Sequence, residues 1–342
     1  MKVYSHIVLI GRFQPFHNGH EETIRRAAAL ARNLIIIVGS CDQPRTYKNP
    51  FSFQERGEMI SYIANQYSVN YEIIRSVDYI YNNPRWITQI QEIVDRYTDN
   101  YIDINIGIIG HKKDRTSDYL DMFPQWVHIE TPLFEPLDAT TVREMFFREN
   151  LNFNFIRGVV PRSTLSFLQR FHVNKRDEFD QIIAERQHVE KYNIPYAPLP
   201  HPPIFVTTDA VVIQSGHVLM VKRKALPGKG LWALPGGFVN ADTDKSIEAA
   251  MLRELREETG IKVPEPVLAG SIVDNKVFDA IGRSSRGRTV THAFKVVLPD
   301  GKLPRVKGMD DAEKAKWVPL SEVKRWECFE DHYDIISWAI GG

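Results

Sequence analysis

Three glutamates near residue 255 have a spacing that would place them together on a helix. Glu254, Glu257 and Glu258 stand at positions i, i+3 and i+4 of "RELREETG", and side chains with these spacings share one helix face. Three carboxylates so close repel one another unless a cation joins them, and all-oxygen ligands favour Mg²⁺ or Mn²⁺. Arg253 can orient Glu257 from four residues away, and Gly260 would end the helix. The pattern predicts a metal site, with a solvated acidic helix face as the alternative.

A second group with chemical potential is "GRFQPFHNGH", from Gly11 to His20. It follows an apolar run and opens an amphipathic one, so it joins a strand to the start of a helix. A helix N-terminus attracts phosphate through free N–H groups and partial positive charge, and Gly11 leaves room for a ligand beside the backbone. His17 and His20 could then hold triphosphate oxygens. The alternative is a turn with two exposed histidines.

The elements that must position the first group alternate between strand and helix. Strands are predicted at Tyr4–Ile10, Leu34–Val38, Tyr71–Ile74, Ile104–Ile109 and Trp126–Ile129, and helices at Glu21–Arg32, Gln54–Tyr67, Arg85–Tyr97 and Thr141–Arg148. Such alternation predicts a parallel sheet with helices on both faces. Ligands of such sheets bind beyond the carboxyl ends of the strands, where Gly11–His20 would lie.

The second half of the chain has a different pattern, which predicts a separate α+β domain. A charged helical stretch, Lys175–Tyr192, leads into the proline-rich segment Asn193–Pro203, and prolines resist both helix and central strand. We therefore expect a first domain over 1–185, a linker over 186–203 and a second domain over 204–342. Strands are predicted at Val206–Ile213, Val218–Val221, Val267–Val273 and Thr289–Val297, with helices at Ser246–Glu258 and at the end of the chain.

Bulk composition limits the classes of partner and the cellular compartment. Lysine plus arginine equals aspartate plus glutamate, 43 each in 342 residues, so we expect no general affinity for nucleic acid or anionic membrane. Cys41 and Cys328 suggest neither a disulfide scaffold nor a zinc site and fit a reducing cytoplasm. The N-terminus lacks the features of a signal peptide, and no apolar run has the length of a membrane span.

The Gly11–His20 block resembles the motif of the nucleotidyltransferase superfamily. Three further segments resemble its archaeal-type nicotinamide-mononucleotide (NMN) adenylyltransferases: "GSCDQPRTYKNPFSFQER" from Gly39, "NNPRW" from Asn82 and "ATTVR" from Ala139. The resemblance covers about residues 1–170. It implies a Rossmann-like α/β domain that joins AMP from ATP to a mononucleotide, with Mg²⁺ on the phosphates.

The same resemblance implies roles for individual residues. Arg12, His17, His20 and Arg143 would hold ATP phosphates, Thr140 would bind phosphate through its hydroxyl and backbone, and Gly11 and Phe13 belong to the same block. Trp86 would stack on the nicotinamide ring, although a core tryptophan is the alternative. Lys48 stands where the branch commonly has arginine. Asp138 stands where the family usually has serine, so we leave it out of the phosphate set.

The glutamate-rich segment resembles the Nudix box, and the α+β half therefore resembles a Nudix domain. Every defined position from Arg253 to Ile261 matches, and "LPGG" precedes the box as in the family. The resemblance implies a metal set of Glu254, Glu257, Glu258 and Gly237. The loop before Arg253 is two residues longer than the box allows, and Lys245 stands where its first glutamate would fall. That change puts the usual ion pair between loop and helix in doubt.

Two downstream segments resemble ADP-ribose-type Nudix hydrolases. They are Val277–Phe294, "VFDAIGRSSRGRTVTHAF", and the stretch over 310–320, "DDAEKAKWVPL". Arg286 and Arg288 could contact a substrate phosphate or ribose, or they could belong to a solvated hairpin. Glu313 is our candidate for a general base outside the box.

The order of domains resembles the bacterial bifunctional NMN adenylyltransferase/Nudix hydrolases from end to end. The implied substrates are ATP, NMN and ADP-ribose, with Mg²⁺ or Mn²⁺ at both sites, and the state of oligomerisation stays open. Two alternatives remain: an adenylyltransferase for another acceptor, such as pantetheine phosphate or a flavin, and a Nudix domain that senses a metabolite without cleaving it. Trp86 and the Gly39–Arg56 loop argue against the first, and the intact glutamates argue against the second.

Overall fold

The computed structural model describes residues 2–101, 104–111, 115–132, 138–308 and 312–341, with the backbone alone at 115–117. The chain divides into two compact units, Met1–Ile183 and Ala184–Gly342. The division falls within helix α7 (Arg176–Asn193), so residues 186–193, which we expected to belong to a linker, form the last turns of that helix. None of the helices in the described ranges has both the length and the apolar character that a membrane span requires.

The first unit is built on a five-stranded parallel sheet. Its strands are β1 (Tyr4–Gly11), β2 (Ala31–Val38), β3 (Asn70–Arg75), β4 (Ile106–Gly110) and β5 (Val127–Glu130), in the order β3-β2-β1-β4-β5. The helices are α1 (Asn18–Leu30), α2 (Phe53–Ala64), α3 (Asn83–Thr98), α4 (Ala139–Phe146), α5 (Phe153–Arg157), α6 (Arg162–Asn174) and the first part of α7. The predicted Rossmann-like α/β fold with a parallel sheet is confirmed.

The central strands of this sheet are apolar because helices cover both of their faces. β1 and β2 pair in parallel with Ile7 opposite Leu34 and Ile10 opposite Ile37, and all four side chains are buried. Two buried clusters lie on opposite faces of the sheet, as alternate residues of each strand require. The first helix ends at Leu30 rather than at Arg32 as predicted, because Ala31 already pairs with Tyr4 in the sheet.

The second unit is a mixed sheet with helices packed on it. The strands are β6 (Phe205–Gln214), β7 (His217–Arg223), β8 (Trp232–Ala233), β9 (Gly236–Phe238), β10 (Ile272–Phe278), β11 (Thr289–Val297) and β12 (Ala312–Pro319). The main order is β10-β11-β6-β7-β12, with β8 beside β7 and β9 beside β6. The helices are α8 (Ile247–Thr259), α9 (Glu265–Gly270) and α10 (His332–Ala339). The expected α+β domain is confirmed.

One predicted strand of this unit is wrong. Helix α9 takes up the first four residues of Val267–Val273, and strand β10 begins only at Ile272. Pro264 and Pro266 stand at the start of the short helix, where proline is tolerated because the first helical N–H groups have no partner inside the helix. Leu268 is the fully buried residue of the segment, so the apolar run packs as a helical turn and not as a strand face.

Candidate active sites

The first site begins where β1 ends. A Cβ atom on Gly11 would lie 2.8 Å from the ring of Phe13, so the glycine leaves room for this ring. Phe13 takes a left-handed backbone, with φ of +53°, and its buried ring packs against that of His20, with 4.8 Å between centroids. The strand end therefore fixes the start of helix α1 and the histidines on it.

His17 and His20 lie against each other, and their hydrogen bonds define their tautomers. His17 caps helix α1, and its Nδ1 accepts from the Gly19 N–H at 3.2 Å. His20 Nδ1 accepts from the backbone N–H of His17 at 3.2 Å, and the ring centroids are 3.7 Å apart. An Nδ1 that accepts carries no proton, so each neutral ring has its donor N–H on Nε2. Burial, followed by the neighbouring His17, lowers the pKa of His20 well below its usual value.

Arg143 reaches the same strand end from helix α4. Its Nη1 donates to the carbonyl of Gln14 at 2.7 Å and its Nη2 to the Thr140 hydroxyl at 3.1 Å. Within the described part of the chain, the buried Nε has no hydrogen-bond partner. Burial and then Arg12 lower the pKa of Arg143. Because burying a donor without an acceptor is costly, this guanidinium suits an anion that completes its hydrogen bonds.

Asp138, which stands where the nucleotidyltransferase family usually has serine, has a structural role. Asp138 is the N-cap of α4, where its Oδ1 accepts from the Thr141 N–H at 2.9 Å. Serine and aspartate are both favoured N-caps, so the substitution preserves the helix start that presents Thr140. Thr140 is exposed at this helix start.

Arg56 is a buried arginine whose role the sequence did not indicate. Its Nη1 donates to the carbonyls of Arg12 and Gly39 at 2.7 and 2.6 Å, and its Nη2 lies 3.4 Å from Cys41 Sγ. It thereby ties the ends of β1 and β2 together and holds the exposed Arg12 in place. Its place at the end of the "FSFQER" segment was the only signal.

Trp86 and Lys48 lie on segments that follow the neighbouring strands β3 and β2. Trp86, near the start of α3, is half-buried and packs against Tyr119 and Phe123, with centroids 6.4 and 5.8 Å away. Lys48 is exposed on the loop before α2. Segments that follow parallel strands emerge at the carboxyl edge of the sheet, which is the edge where ligands of such folds bind. The aromatic packing shows that Trp86 also supports the core.

The second site is a cavity of about 370 Å³ in the second unit. Helix α8 starts at its N-cap Ser246 and ends at Gly260, which takes the left-handed conformation, with φ of +52°. The cavity is lined by the three predicted glutamates, Glu254, Glu257 and Glu258, and by Gly237. A Cβ on Gly237 would lie 2.6 Å from Glu254 Oε1, so this glycine makes room for the carboxylate.

Each of the three carboxylates is held by a donor from the protein. Arg253 Nη1 donates to Glu254 Oε1 at 2.8 Å and to Glu257 Oε2 at 2.9 Å. Glu258 Oε2 accepts from the Gly236 N–H at 3.0 Å. In this arrangement, no three His, Cys, Asp or Glu side chains of the described residues are grouped to hold a metal ion. The glutamates share the cavity, and Arg253 stands between two of them.

Burial makes Glu254 and Glu258 poor anions without a cation. The pKa of Glu258 is raised to about 8, first by burial and also by Glu254 and Asp209. Burial likewise raises the pKa of Glu254. Desolvated carboxylates that repel one another are the environment a divalent cation relieves. The oxygen donors therefore fit Mg²⁺ or Mn²⁺ by chemistry.

Asp244 supplies the ion pair that the sequence left in doubt. Both of its oxygens accept from Arg253, at 2.8 Å from Nε and 2.8 Å from Nη2. Arg253 holds the pKa of Asp244 down at about 2. The longer loop thus places the carboxylate one residue before Lys245, which stands at the position of the first glutamate of the box.

Of the three candidate residues that follow the glutamate-rich helix in the sequence, one lines the cavity and two lie outside its lining. Arg286 lines the cavity, with its guanidinium 4.9 Å from the ring centroid of Phe238. Arg288 lies outside the cavity lining, with Nη2 3.8 Å from Asp279 Oδ2. Glu313 lies on β12 with a half-exposed side chain, 3.8 Å from Lys222 Nζ, and it is absent from the described residues that line the cavity.

Asp209 and His332 are buried cavity residues that the sequence analysis missed. Asp209 Oδ2 accepts from the Thr291 hydroxyl at 2.6 Å, and burial raises the pKa of this carboxyl. His332 Nδ1 accepts from the Leu234 N–H at 2.8 Å, and burial lowers the pKa of His332 to about 3. The signal for Asp209 was an aspartate inside the otherwise apolar or hydroxylated strand "VTTDAVVI".

Comparison with family models matches each unit to a known family. The model described as cytidylyltransferase-like matches residues 8–145. The model described as the NUDIX domain matches residues 204–339. The two matches fall on the two sites described above.

Individual proteins are similar to one unit of this chain or to both. The nicotinamide/nicotinic acid mononucleotide adenylyltransferase of Acinetobacter baylyi is 36% identical over 174 residues, which span 50% of this chain and 88% of that protein. The ADP-ribose pyrophosphatase of Methanocaldococcus jannaschii is 30% identical over 159 residues, 46% of this chain and 83% of that protein. A crystal structure of a bifunctional NMN adenylyltransferase/ADP ribose pyrophosphatase from Francisella tularensis, complexed with AMP and a manganese ion, is 34% identical. It covers 98% of each chain with a TM-score of 0.88.

Proposed function

The chain belongs to the family of bifunctional NMN adenylyltransferase/ADP-ribose pyrophosphatases, and we propose that it carries out both reactions, one in each unit. The first unit makes NAD and pyrophosphate from NMN and ATP. The second hydrolyses ADP-ribose to AMP and ribose 5-phosphate. The observation that carries the proposal is the match over 98% of both chains, combined with the presence of both groups of site residues.

In the first unit, catalysis rests on position and charge. An oxygen of the NMN 5′-phosphate forms a bond to the α-phosphorus of ATP while the bond to the pyrophosphate group breaks, so no protein nucleophile is needed. The Nε2–H groups of His17 and His20 are neutral donors suited to phosphate oxygens, and Arg143 adds a buried positive charge with an unused N–H. Such preorganised donors stabilise the charge that develops in the transition state.

The remaining residues of the first site would bind the two substrates. Arg12 and Thr140 would contact ATP phosphates, and Lys48 would contribute positive charge from the loop before α2. Trp86 would stack on the nicotinamide ring. Its aromatic contacts with Tyr119 and Phe123 fix the orientation of its own ring, which lowers the cost of ordering it on binding.

In the second unit, the chain's own residues hold and orient the groups that act on the pyrophosphate. Glu254, Glu257 and Glu258, with the Gly237 carbonyl, would hold Mg²⁺ or Mn²⁺. When bound, the cation supplies positive charge that neutralises the pyrophosphate. Arg253 orients two of the glutamates, and Arg286 offers a cation to a substrate phosphate from the cavity wall. The oxygen of a water molecule forms a bond to one phosphorus of the pyrophosphate while the bond from that phosphorus to the bridging oxygen breaks. The bridging oxygen leaves with the second phosphate, and the proton lost by the water passes to solvent.

Two reciprocal variants test the assignment of one activity to each unit. His20→Ala removes a donor of the first site and should reduce NAD synthesis roughly 10²- to 10³-fold, with ADP-ribose hydrolysis near wild type. Glu258→Gln keeps the side-chain shape but removes a carboxylate, so hydrolysis should fall by orders of magnitude while synthesis persists. Equal loss of both activities in either folded variant contradicts the two-site proposal.

A binding assay separates hydrolase from sensor. If calorimetry shows that the wild type binds ADP-ribose, and no AMP forms with either Mg²⁺ or Mn²⁺, the second unit is a sensor. The arrangement of Arg253 and the three glutamates around one cavity, with Asp244 bonded to Arg253, supports the hydrolase.

A further inference from the structure

Glu330 is a cavity-lining carboxylate on an unusual backbone. Its backbone takes the left-handed conformation, with φ of +45°. Residues other than glycine, asparagine and aspartate seldom adopt this conformation. Such a residue persists only when its surroundings determine its position, and such positions cluster at functional sites. Glu330 lines the same cavity as the box glutamates, yet neither the sequence motifs nor the reaction described above uses it.

One oxygen of Glu330 is fully engaged by a turn of the protein. Oε1 accepts from the Ser284 hydroxyl at 2.9 Å, from the Ser285 N–H at 3.0 Å and from the Ser285 hydroxyl at 3.5 Å. The other oxygen, Oε2, has no hydrogen-bond donor among the residues that the structure describes. The carboxylate is therefore anchored through one oxygen, with the other available.

The neighbours of Glu330 keep it rigid. Asp331, the next residue, forms a buried two-point ion pair with Arg283, with both distances 2.8 Å. Phe329, the residue before, lies under Arg223, whose guanidinium is 4.0 Å from the ring centroid. Because both flanking side chains are fixed to other parts of the cavity wall, Glu330 cannot relax away from its strained conformation.

The charges around Glu330 restrict what its available oxygen can bind. A carboxylate accepts hydrogen bonds and repels anions, so Oε2 is unsuited to the phosphates of a nucleotide. Arg286 lies on the same cavity wall, 4.9 Å from the centroid of the Phe238 ring, and is suited to a phosphate. In a nucleotide sugar, the hydrogen-bond donors that lie close to a phosphate are the hydroxyls of the sugar.

We propose that Glu330 determines substrate specificity in the second unit by accepting a hydrogen bond through Oε2 from a 2′ or 3′ hydroxyl of one of the two riboses. The proposal rests on the proposed hydrolase function, because it names a contact within that same site. Glu330 is thus a binding residue for the sugar, distinct from the residues that hold the cation.

The test measures binding of five ligands to the full chain by calorimetry in the presence of EDTA, so that no hydrolysis interferes. The ligands are ADP-ribose and its four analogues that each lack one ribose hydroxyl at a 2′ or 3′ position. Glu330→Gln keeps an amide oxygen for the turn and replaces Oε2 with an N–H donor. Ser284→Ala is the matched control, since it removes one hydrogen bond to Oε1 and leaves Oε2 unchanged.

The wild type should bind one of the analogues roughly 10- to 100-fold more weakly than ADP-ribose, the range for a hydrogen bond to a charged group. Glu330→Gln should weaken ADP-ribose by a similar factor and bind that analogue and ADP-ribose alike. Ser284→Ala should preserve the wild-type discrimination.

Two results overturn the proposed contact of Glu330, and a third also overturns the proposed hydrolase substrate. Equal weakening of all five ligands by Glu330→Gln means that Glu330 only supports the turn. Unchanged binding means that Oε2 contacts no hydroxyl. Absence of AMP after the wild type is incubated with ADP-ribose and Mg²⁺ or Mn²⁺ contradicts the proposed hydrolase substrate itself, and the contact with it.

Discussion

Replacing Asp244 by asparagine tests how the loop before helix α8 supports the glutamates. Asp244 is almost fully buried, with 4% of its side chain exposed, and it binds Arg253 through two hydrogen bonds of 2.8 Å. Arg253 in turn holds Glu254 and Glu257. Asparagine keeps one acceptor, loses the charge and points an N–H donor at the guanidinium. The Arg253 side chain therefore loses the partner that fixes it between the two glutamates.

The magnitude follows from these contacts. One lost hydrogen bond between charged groups is worth roughly 1.5–3 kcal/mol, and loss of a residue that orients metal ligands costs roughly 10- to 100-fold in metal affinity or activity. We expect kcat/KM for ADP-ribose to fall by that factor and the required Mg²⁺ concentration to rise. NAD synthesis should be unchanged. The assay is AMP release over a range of Mg²⁺ concentrations, with circular dichroism to confirm folding.

The matched control is the neighbouring residue. Lys245→Glu restores the first glutamate of the Nudix box, but Arg253 already has Asp244 as its partner, so hydrolysis should stay near the wild-type rate. The reasoning is refuted if Asp244→Asn hydrolyses ADP-ribose like the wild type. It is equally refuted if Lys245→Glu accelerates hydrolysis and if adding Asp244→Asn to that variant leaves the rate unchanged.

Two further predictions concern the nicotinamide platform and the pH dependence of stability. Trp86→Ala should raise KM for NMN roughly 2- to 10-fold, as expected for an aromatic stack worth about 0.5–1.5 kcal/mol, with KM for ATP unchanged and Trp86→Phe as the control. A selective rise in KM for ATP means that the assignment is wrong. Burial lowers the pKa of His332 to about 3 from 6.5, so below pH 6.5 the unfolded chain binds a proton that the folded chain does not. The free energy of unfolding should therefore decrease as the pH is lowered from 6.5 towards 3, by up to about 1.4 kcal/mol per pH unit from this group. His332→Asn keeps an acceptor for the Leu234 N–H and should show a shallower decline in urea unfolding. Parallel declines for both proteins contradict the role of His332.

The first fold and the arrangement of its Gly11–His20 block could be predicted because local signals agree with the global structure. The apolar runs that become β1 and β2 are buried on both faces, and the glycine, histidines and helix start follow β1 in the expected order. The three glutamates could likewise be placed on one helix, since their spacing is a local property. What the sequence could not supply was their hydrogen-bonding partners.

The residues that were missed depend on contacts between distant segments. Asp244 lies one residue from the position of the first box glutamate, and only the path of the longer loop brings it to Arg253. Glu330 meets the Ser284–Ser285 turn although 46 positions separate it from Ser284 in the sequence. Val267 belongs to an apolar run whose preceding prolines favour a helical turn over a strand. Asp244 and Glu330 required tertiary structure rather than periodicity, whereas the prolines before Val267 are a local signal.

Product analysis of the wild-type protein tests the central claim most directly. The purified chain is incubated with ATP, NMN and Mg²⁺ in one reaction and with ADP-ribose and Mg²⁺ or Mn²⁺ in another, and the products are separated by chromatography. The account predicts NAD and pyrophosphate from the first reaction, and AMP and ribose 5-phosphate from the second. Absence of NAD from the first, or of AMP from the second with either metal, contradicts the claim that the chain carries both activities.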